Sequence, residues 1–159
     1  NSIKIKDHLA VKNRVLTLLK LADLAKLSQL DLTFLTGQKN PETGLKTLKK
    51  LVKGGVILTL GSKGSIYRST NGKHSVRRTV VVIKVPAFKV RVADTIGAGD
   101  AFTAGLIYKL IEQGKIEFFR NIESNMTFAS AVSAIICTKK GANQGLRDIK
   151  QVNSFLKPH

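Results

Sequence analysis

Acidic residues are scarce in this chain: ten Asp and Glu stand against 27 Lys and Arg in 159 residues, a formal charge of +17. An excess of that size attracts anions of every kind, among them nucleotides, phosphosugars, RNA, DNA and anionic lipid. Aromatic residues are also few. Trp is absent and Tyr occurs only at 67 and 108, so the basic residues have no interleaved rings of the sort that stack bases. Nucleic-acid binding is thereby limited to a non-specific, salt-sensitive effect. A single cysteine, Cys137, excludes an internal disulfide and suits a reducing, cytoplasmic compartment. With no histidine near it in sequence, Cys137 reads as a small apolar residue rather than a nucleophile. His8, His74 and His159 show no metal-ligand spacing. The longest apolar runs, Thr79 to Ile83 and Ala131 to Cys137, fall far short of the roughly 20 residues of a membrane span. Asn1-Ser2-Ile3-Lys4 opens no signal-peptide h-region.

What is present is enough for one folded unit. An apolar content of 43% is that of a globular chain, and the length suits a single α/β domain over residues 1–159. Val11, Val15, Leu18 and Ala22 predict a helix over 8–22. Leu24 to Leu27 reads as a short strand, and Ser28 to Asp31 starts a small helix that Gly37 ends. Asn40-Pro41-Glu42 predicts an N-cap, a proline at the first helical position and an acid in the first turn. That helix buries Leu45, Leu48, Leu51 and Val52, solvates its lysines at 46 to 53, and stops at Gly54. Val56 to Leu60 predicts a buried, parallel strand. Gly61 to Gly64 then turns the chain into Ser65 to Ser69, and Asn71-Gly72 predicts a hairpin with the run from Ser75 to Val85, which Pro86 stops. Val90 and Val92 extend the β-rich character. Helices follow from Asp100 to Gly114 and from Ile116 to Thr138, the second broken near Glu123-Ser124-Asn125. Gly141 to Gly145 is a loop, and the last helix carries Leu146, Ile149, Val152 and Phe155. Strands alternating with helices in this way predict a layered α/β fold.

The chemistry gathers at Asp94-Thr95-Ile96-Gly97-Ala98-Gly99-Asp100, followed by Ala101-Phe102. Here a strand end, a glycine turn and a helix start meet. Such a corner points backbone N–H groups and the positive end of a helix dipole at an anion. Phe102, Leu106 and Leu110, widened by Ile107 and Ile111, give that helix an apolar stripe. A carboxylate beside a phosphate is unfavourable unless it does work, such as taking a proton from an attacking hydroxyl. The plainer reading makes Asp100 a helix N-cap.

These nine residues resemble the D-T-x-G-A-G-D-A-F signature of the ribokinase-like (PfkB) carbohydrate kinases at every fixed position. Three further segments fall into the family's order. Ala22-Asp23-Leu24-Ala25-Lys26-Leu27-Ser28-Gln29-Leu30-Asp31-Leu32 is similar to the A-D-I-V-K segment, closest to the fructokinase branch. Thr59-Leu60-Gly61-Ser62-Lys63-Gly64 resembles the T-L-G-x-x-G nucleotide loop. Ala129-Ser130-Ala131 through Cys137-Thr138-Lys139-Lys140-Gly141-Ala142 resembles the stretch near the adenine. Departures are Ser130 for the usual Asn, Leu30 for an acid, and Gly145 for a residue with a side chain.

The resemblance implies a three-layer αβα, Rossmann-like ribokinase fold with a small β-hairpin excursion. It implies ATP-dependent phosphorylation of a sugar hydroxyl, with ATP and Mg²⁺ as cofactors and K⁺ in some members. Asp100 would be the general base, and Gly97, Ala98 and Gly99 the anion hole. Thr59, Gly61, Gly64, Ser130 and Gly141 would lie along the nucleotide. Asp31 would hold Mg²⁺ through water, and Asp94 with the carbonyl of Ile96 would ligate the monovalent cation. Two plainer readings stay open: Ser28-x-x-Asp31 is also a capping box, and Gly61 and Gly64 are also turn residues.

Family members run to about twice this length. By that resemblance the chain reads as the C-terminal half, and a first residue other than methionine suits an excised or processed piece or the product of a truncated gene. The sugar-binding half and β-lid would come from a partner chain. The rival reading is a non-catalytic basic module that binds nucleotide or nucleic acid on a kinase-like fold.

Overall fold

A computed structural model describes residues 2–52, 54–70, 80–142 and 144–157. The order of elements is helix α1 (Ser2–Leu19), strand β1 (Leu24–Ser28), α2 (Gln29–Thr36), α3 (Pro41–Lys49), β2 (Gly55–Thr59), a 3₁₀ turn at Gly61–Lys63, β3 (Ser65–Thr70), β4 (Val80–Val85), α4 (Ala98–Arg120), α5 (Ile122–Cys137) and α6 (Ile149–Phe155). The mixed α/β class follows the alternation in the sequence. The strands form one sheet in the order β1-β2-β3-β4. The predicted Asn71-Gly72 turn, His74 and His159 lie outside the described residues. Among the described residues no helix is long and apolar enough to cross a membrane.

The chain groups into two compact units, Asn1–Leu60 with Ile66–Ile83, and Gly61–Ser65 with Lys84–His159. In the first, β1 and β2 pair in parallel from Leu24 opposite Gly55 to Ser28 opposite Thr59. Val56, Ile57 and Leu58 are all buried, as expected of a parallel strand covered on both faces. β1 alternates buried Ala25 and Leu27 with half-buried neighbours. Leu32, Leu35, Leu45, Leu48 and Val52 pack with these strands into one core.

The ends of the short helices are set by their caps. Gly37 closes α2 in the left-handed conformation, with φ of 72°. The Asn40 side chain accepts from the backbone of Glu42 and Thr43, satisfying donors that the first turn leaves unpaired.

Three helical expectations of this unit change. α1 spans 2–19 instead of 8–22, and Leu19 is buried in the core, supported by Val15 and Leu16. Val11 and Leu18 are exposed. A stripe read from residue spacing fixes a face only to within the arc of one residue, and Leu18 and Leu19 differ by that arc. α3 stops at Lys49, with Lys50 as its cap, short of Gly54. Lys49 is only half solvated: its Nζ donates to the carbonyl of Val52 at 2.8 Å, and burial pulls its pKa down.

In the second unit α4 and α5 pack closely at Gly105. A Cβ there would lie 2.8 Å from the Cα of Ala129, so only glycine permits this approach. Phe128, Ala131, Val132, Ile135 and Val152 form the core. The helical path of α4 breaks at Gly114, with φ of 73° and ψ of 165°, where the sequence places a helix end. The break before α5 is at Asn121 rather than at 123–125. Buried Asn125 exchanges hydrogen bonds with Gln113 and donates to the carbonyl of Phe118 at 3.0 Å, so this polar residue fastens the reversal from inside α5. Of the stripe expected on α4, Phe102 and Leu106 are buried, while Ile107, Leu110 and Ile111 are exposed. Residues 86–95 contain no strand, because Pro86 ends β4, so Val90 and Val92 belong to an irregular connection. Leu146 precedes α6, which Asp148 caps.

The α1 register is directly testable. Leu19→Ala removes a side chain from the core and should cost about 2–5 kcal/mol, whereas Leu18→Ala should stay within about 0.5 kcal/mol of the parent. Urea unfolding of the two variants reads the difference. Equal losses would contradict the placement.

Candidate active site

The corner at residues 94–100 is built by three sets of contacts inside the second unit. Asp94 Oδ1 accepts the N–H of Ile96 at 3.0 Å and Oδ2 accepts the N–H of Gly141 at 3.0 Å. The carbonyl of Cys137 accepts the N–H groups of Ala93 at 2.8 Å and Asp94 at 3.3 Å. Together these fasten the entry to the turn onto the loop that follows α5. Gly97 then takes φ of 79° and ψ of −4°, a left-handed conformation that side chains disfavour. A Cβ there would also lie 2.8 Å from the Cβ of Ala142. Both backbone conformation and space therefore demand glycine.

α4 starts at Ala98 with no side-chain cap. The first-turn N–H groups of a helix have no intrahelical partner, and the helix dipole makes them a site for negative charge. Ala101 N–H returns to the Gly97 carbonyl at 2.8 Å, so the turn feeds directly into the helix. Ser133 Oγ donates to the carbonyl of Ala98 at 2.9 Å, and Thr103 Oγ donates to that of Gly99 at 3.0 Å. Ser133 and Ala142 had not been picked out from the sequence. The available signal for Ser133 was a hydroxyl inside the apolar run from Ala131 to Cys137.

Asp100 is the third residue of α4 and is exposed. It is not the N-cap, a position Gly97 occupies. Among the described residues no group bonds its carboxylate. The chain therefore presents an unengaged carboxylate in the first turn of α4, two residues after Ala98, whose N–H donates to the carbonyl of Thr95 at 3.2 Å. Asp94 is the opposite case. The N–H groups of Ile96 and then Gly141, with help from Thr95 and the charge of Lys140, hold its carboxyl below the ordinary value. Cys137 is half-buried, and burial followed by the Asp94 charge pushes its thiol pKa up. It is therefore a poor nucleophile at neutral pH.

The remaining expected site residues are placed as follows. Gly141 joins the corner through Asp94. Gly61, with φ of 59°, faces open space, whereas Gly64, with φ of 87°, leaves no room for a Cβ beside the carbonyl of Val85. Ser65, next in the chain, is buried, and its hydroxyl has no partner among the described residues. A lone buried hydroxyl costs about 1–3 kcal/mol and is the kind of group that a polar ligand or water satisfies. Ser130 is buried within α5. Asp31 and Thr59 belong to the first unit. Thr59 Oγ donates to the carbonyl of Leu27 at 3.2 Å. Asp31 completes a capping box: its Oδ2 accepts from the N–H of Ser28 at 2.8 Å and from its hydroxyl at 2.7 Å.

The donor sets are compatible with the groups the resemblance implies. Each oxygen of Asp94 has one backbone bond and keeps a lone pair, and a carboxylate plus the Ile96 carbonyl is a hard oxygen pair suited to a monovalent cation. Among the described residues no group of three or more His, Cys, Asp or Glu forms a metal cluster. A single exposed carboxylate such as Asp31 is compatible with the way Mg²⁺ is held, largely by water and phosphate.

A family model described as pfkB family carbohydrate kinase matches residues 3–149. Fructokinase-1 of Oryza sativa subsp. japonica is 31% identical over 134 residues, 82% of this chain and 38% of its own length. Among solved structures, an aminoimidazole riboside kinase from Salmonella enterica, complexed with aminoimidazole riboside and an ATP analog, superposes with a TM-score of 0.79. It is 28% identical over 92% of this chain and 46% of its own. A fructokinase from Vibrio cholerae O395, holding fructose, ADP and a calcium ion, has a TM-score of 0.77 and 31% identity, covering 92% and 44%. The chain thus spans about two fifths of the length of most of these curated relatives.

The Asp94 tie predicts a pH signature. Its folded pKa is depressed, so its contribution is fully present above the ordinary carboxylate value of 3.8 and is lost as pH falls through the lower folded value. Asp94→Asn should remove that part of the acid sensitivity, read as melting temperature against pH from 6 to 2. A variant curve parallel to the parent's would contradict the tie. Gly97→Ala should cost more than about 1 kcal/mol, from the left-handed backbone alone.

Proposed function

This chain belongs to the pfkB family of carbohydrate kinases, and from that premise we propose that it is the nucleotide-binding and catalytic-base part of an ATP-dependent sugar kinase of the fructokinase type. The observation that carries the reading is the pairing of an uncapped, glycine-cornered helix start with the unengaged carboxylate of Asp100. A bare anion site has no use for that acid. In phosphoryl transfer to an alcohol it has one: it accepts the hydroxyl proton as the sugar oxygen bonds to the γ-phosphorus and the bond to the ADP oxygen breaks. The N–H groups of Gly97, Ala98 and Gly99 are assigned to the charge on the transferring group, the Ala98 N–H exchanging its 3.2 Å bond to the Thr95 carbonyl for the phosphate.

Thr59, Gly61, Gly64, Ser130 and Gly141 are assigned to the nucleotide, with the open space over Gly61 and the lone hydroxyl of Ser65 supporting a ligand beside that loop. Asp31 is assigned to Mg²⁺ through water, and its capping bonds hold the carboxylate in place for that task. Mg²⁺ would neutralise phosphate charge. Asp94 and the Ile96 carbonyl are assigned to a monovalent cation such as K⁺, whose charge would reinforce the corner. The residues that choose the sugar are assigned to the part of the family's length that this chain does not match, supplied by a partner segment or chain.

Asp100→Asn tests the central assignment. The parent chain should bind Mg·ATP in a thermal-shift assay and release little ADP alone. Combined with a chain supplying the sugar-binding part, it should release ADP when fructose is added. The variant should keep the Mg·ATP shift and lose about 10²–10⁴-fold in turnover. Turnover indifferent to Asp100 would overturn the base assignment, and robust turnover by the chain alone would overturn the partial-site reading.

A further inference from the structure

The positive charge is not evenly neutralised along the second unit. On α4, Lys109 pairs with Glu112 at 2.5 Å and Arg120 with Glu117 at 2.6 Å, the ordinary i, i+3 arrangement of a solvated helix. Around the C-terminal end of α5 the pattern differs. Lys89, Arg91, Lys139, Lys140, Arg147 and Lys150 are all exposed; none forms a salt bridge among the described residues, and Lys140 acts on Asp94 through its charge.

These cations sit on three segments that the fold holds together. The Cys137 carbonyl takes the N–H groups of Ala93 and Asp94, bringing the segment with Lys89 and Arg91 to the end of α5. Gly145 is pressed against the last turns of α5, since a Cβ there would lie 2.5 Å from the carbonyl of Ile135. Gln151 then staples the turn that carries Arg147, accepting its N–H at 2.9 Å and donating to Gly145 at 3.1 Å. Phe88 meets Phe155 edge to face at 5.1 Å, joining the first segment to α6. The two acids within these segments are occupied: Asp94 by Ile96 and Gly141, and Asp148 by the N–H of Gln151. The α5 dipole accounts for Lys139 and Lys140, which follow its last turn, but its influence does not extend to the other four.

We infer that this end of α5 is a docking strip for a polyanion, and that the polyanion is the phosphate backbone of a nucleic-acid duplex. A group of exposed cations on segments held by backbone contacts releases condensed counterions when it meets such a backbone. A single strand is disfavoured because stacking rings are absent: Tyr67 is buried, Tyr108 is stacked on Phe128, and Phe155 faces Phe88. A membrane surface is disfavoured because the cations lie mainly on loops rather than along an amphipathic helix. The strip does not depend on the kinase assignment, and its binding is read without nucleotide or sugar.

The test is fluorescence anisotropy with a labelled 20-base-pair duplex between 50 and 200 mM salt. Six phosphate contacts predict a log–log slope near −5 and a loss of about a thousandfold in affinity across that range. The triple variant Lys139→Gln, Arg147→Gln, Lys150→Gln should reduce the slope by about 0.9 for each cation removed. A control of equal charge loss in the first unit, Lys39→Gln, Lys46→Gln, Lys50→Gln, should leave the slope near the parent's. Equal effects of the two triple variants would overturn the strip. So would tighter binding of a single strand of the same length, binding to phosphatidylserine vesicles without duplex binding, or no duplex binding at 50 mM salt.

Discussion

The second unit depends on one carboxylate. Asp94 takes a backbone N–H from two residues beyond it and another from Gly141, closing the turn onto the loop after α5. Those bonds place Gly97 against Ala142, where a side chain has no room. They also set the direction in which α4 departs. Bonds from backbone N–H groups to an ionised carboxylate are stronger than neutral ones, and one carboxylate of the corner is used to build it. Asp100, six residues on, remains available for chemistry.

This division explains why so basic a chain keeps two aspartates in one short turn. Charge alone would favour an anion site without carboxylates. Asp94 is held ionised by the N–H groups it gathers, and Asp100 lies in the first turn of α4. The rest of the unit holds that start still. Gly105 lets α5 approach α4, Ser133 reaches across to the first turn, and Asn125 with Gln113 secures the reversal where α4 breaks.

Local chemistry was legible in the sequence wherever a residue type has few alternatives. Gly37, Asn40, Pro41 and Pro86 set element boundaries through backbone conformation or a missing donor, and each does so in the fold. The unbroken run from Val56 to Leu58 identified a strand buried on both faces. Periodicity was less informative. The faces of α1 and the outer half of α4 were misassigned because an apolar residue at the right spacing is not thereby buried: Leu18 and Ile111 find nothing to pack against, and Leu19 does. At Asp31 the plainer reading is met: the capping box is formed, and the residue stays exposed. The Asp94–Gly141 bond joins residues 47 apart in sequence, and no local pattern announces such a tie. Ser133 and Ala142 were missed for the same reason, as their contribution lies in what they touch.

The central claim is that the backbone of residues 97–99 receives the phosphates. Amide ¹H–¹⁵N spectra of the labelled chain, titrated with Mg·ATP and separately with adenosine, test it most directly. The account predicts that the amides of Gly97, Ala98 and Gly99 shift with Mg·ATP and stay in place with adenosine. Unmoved amides at these positions, with saturable shifts from Mg·ATP elsewhere in the chain, would contradict it.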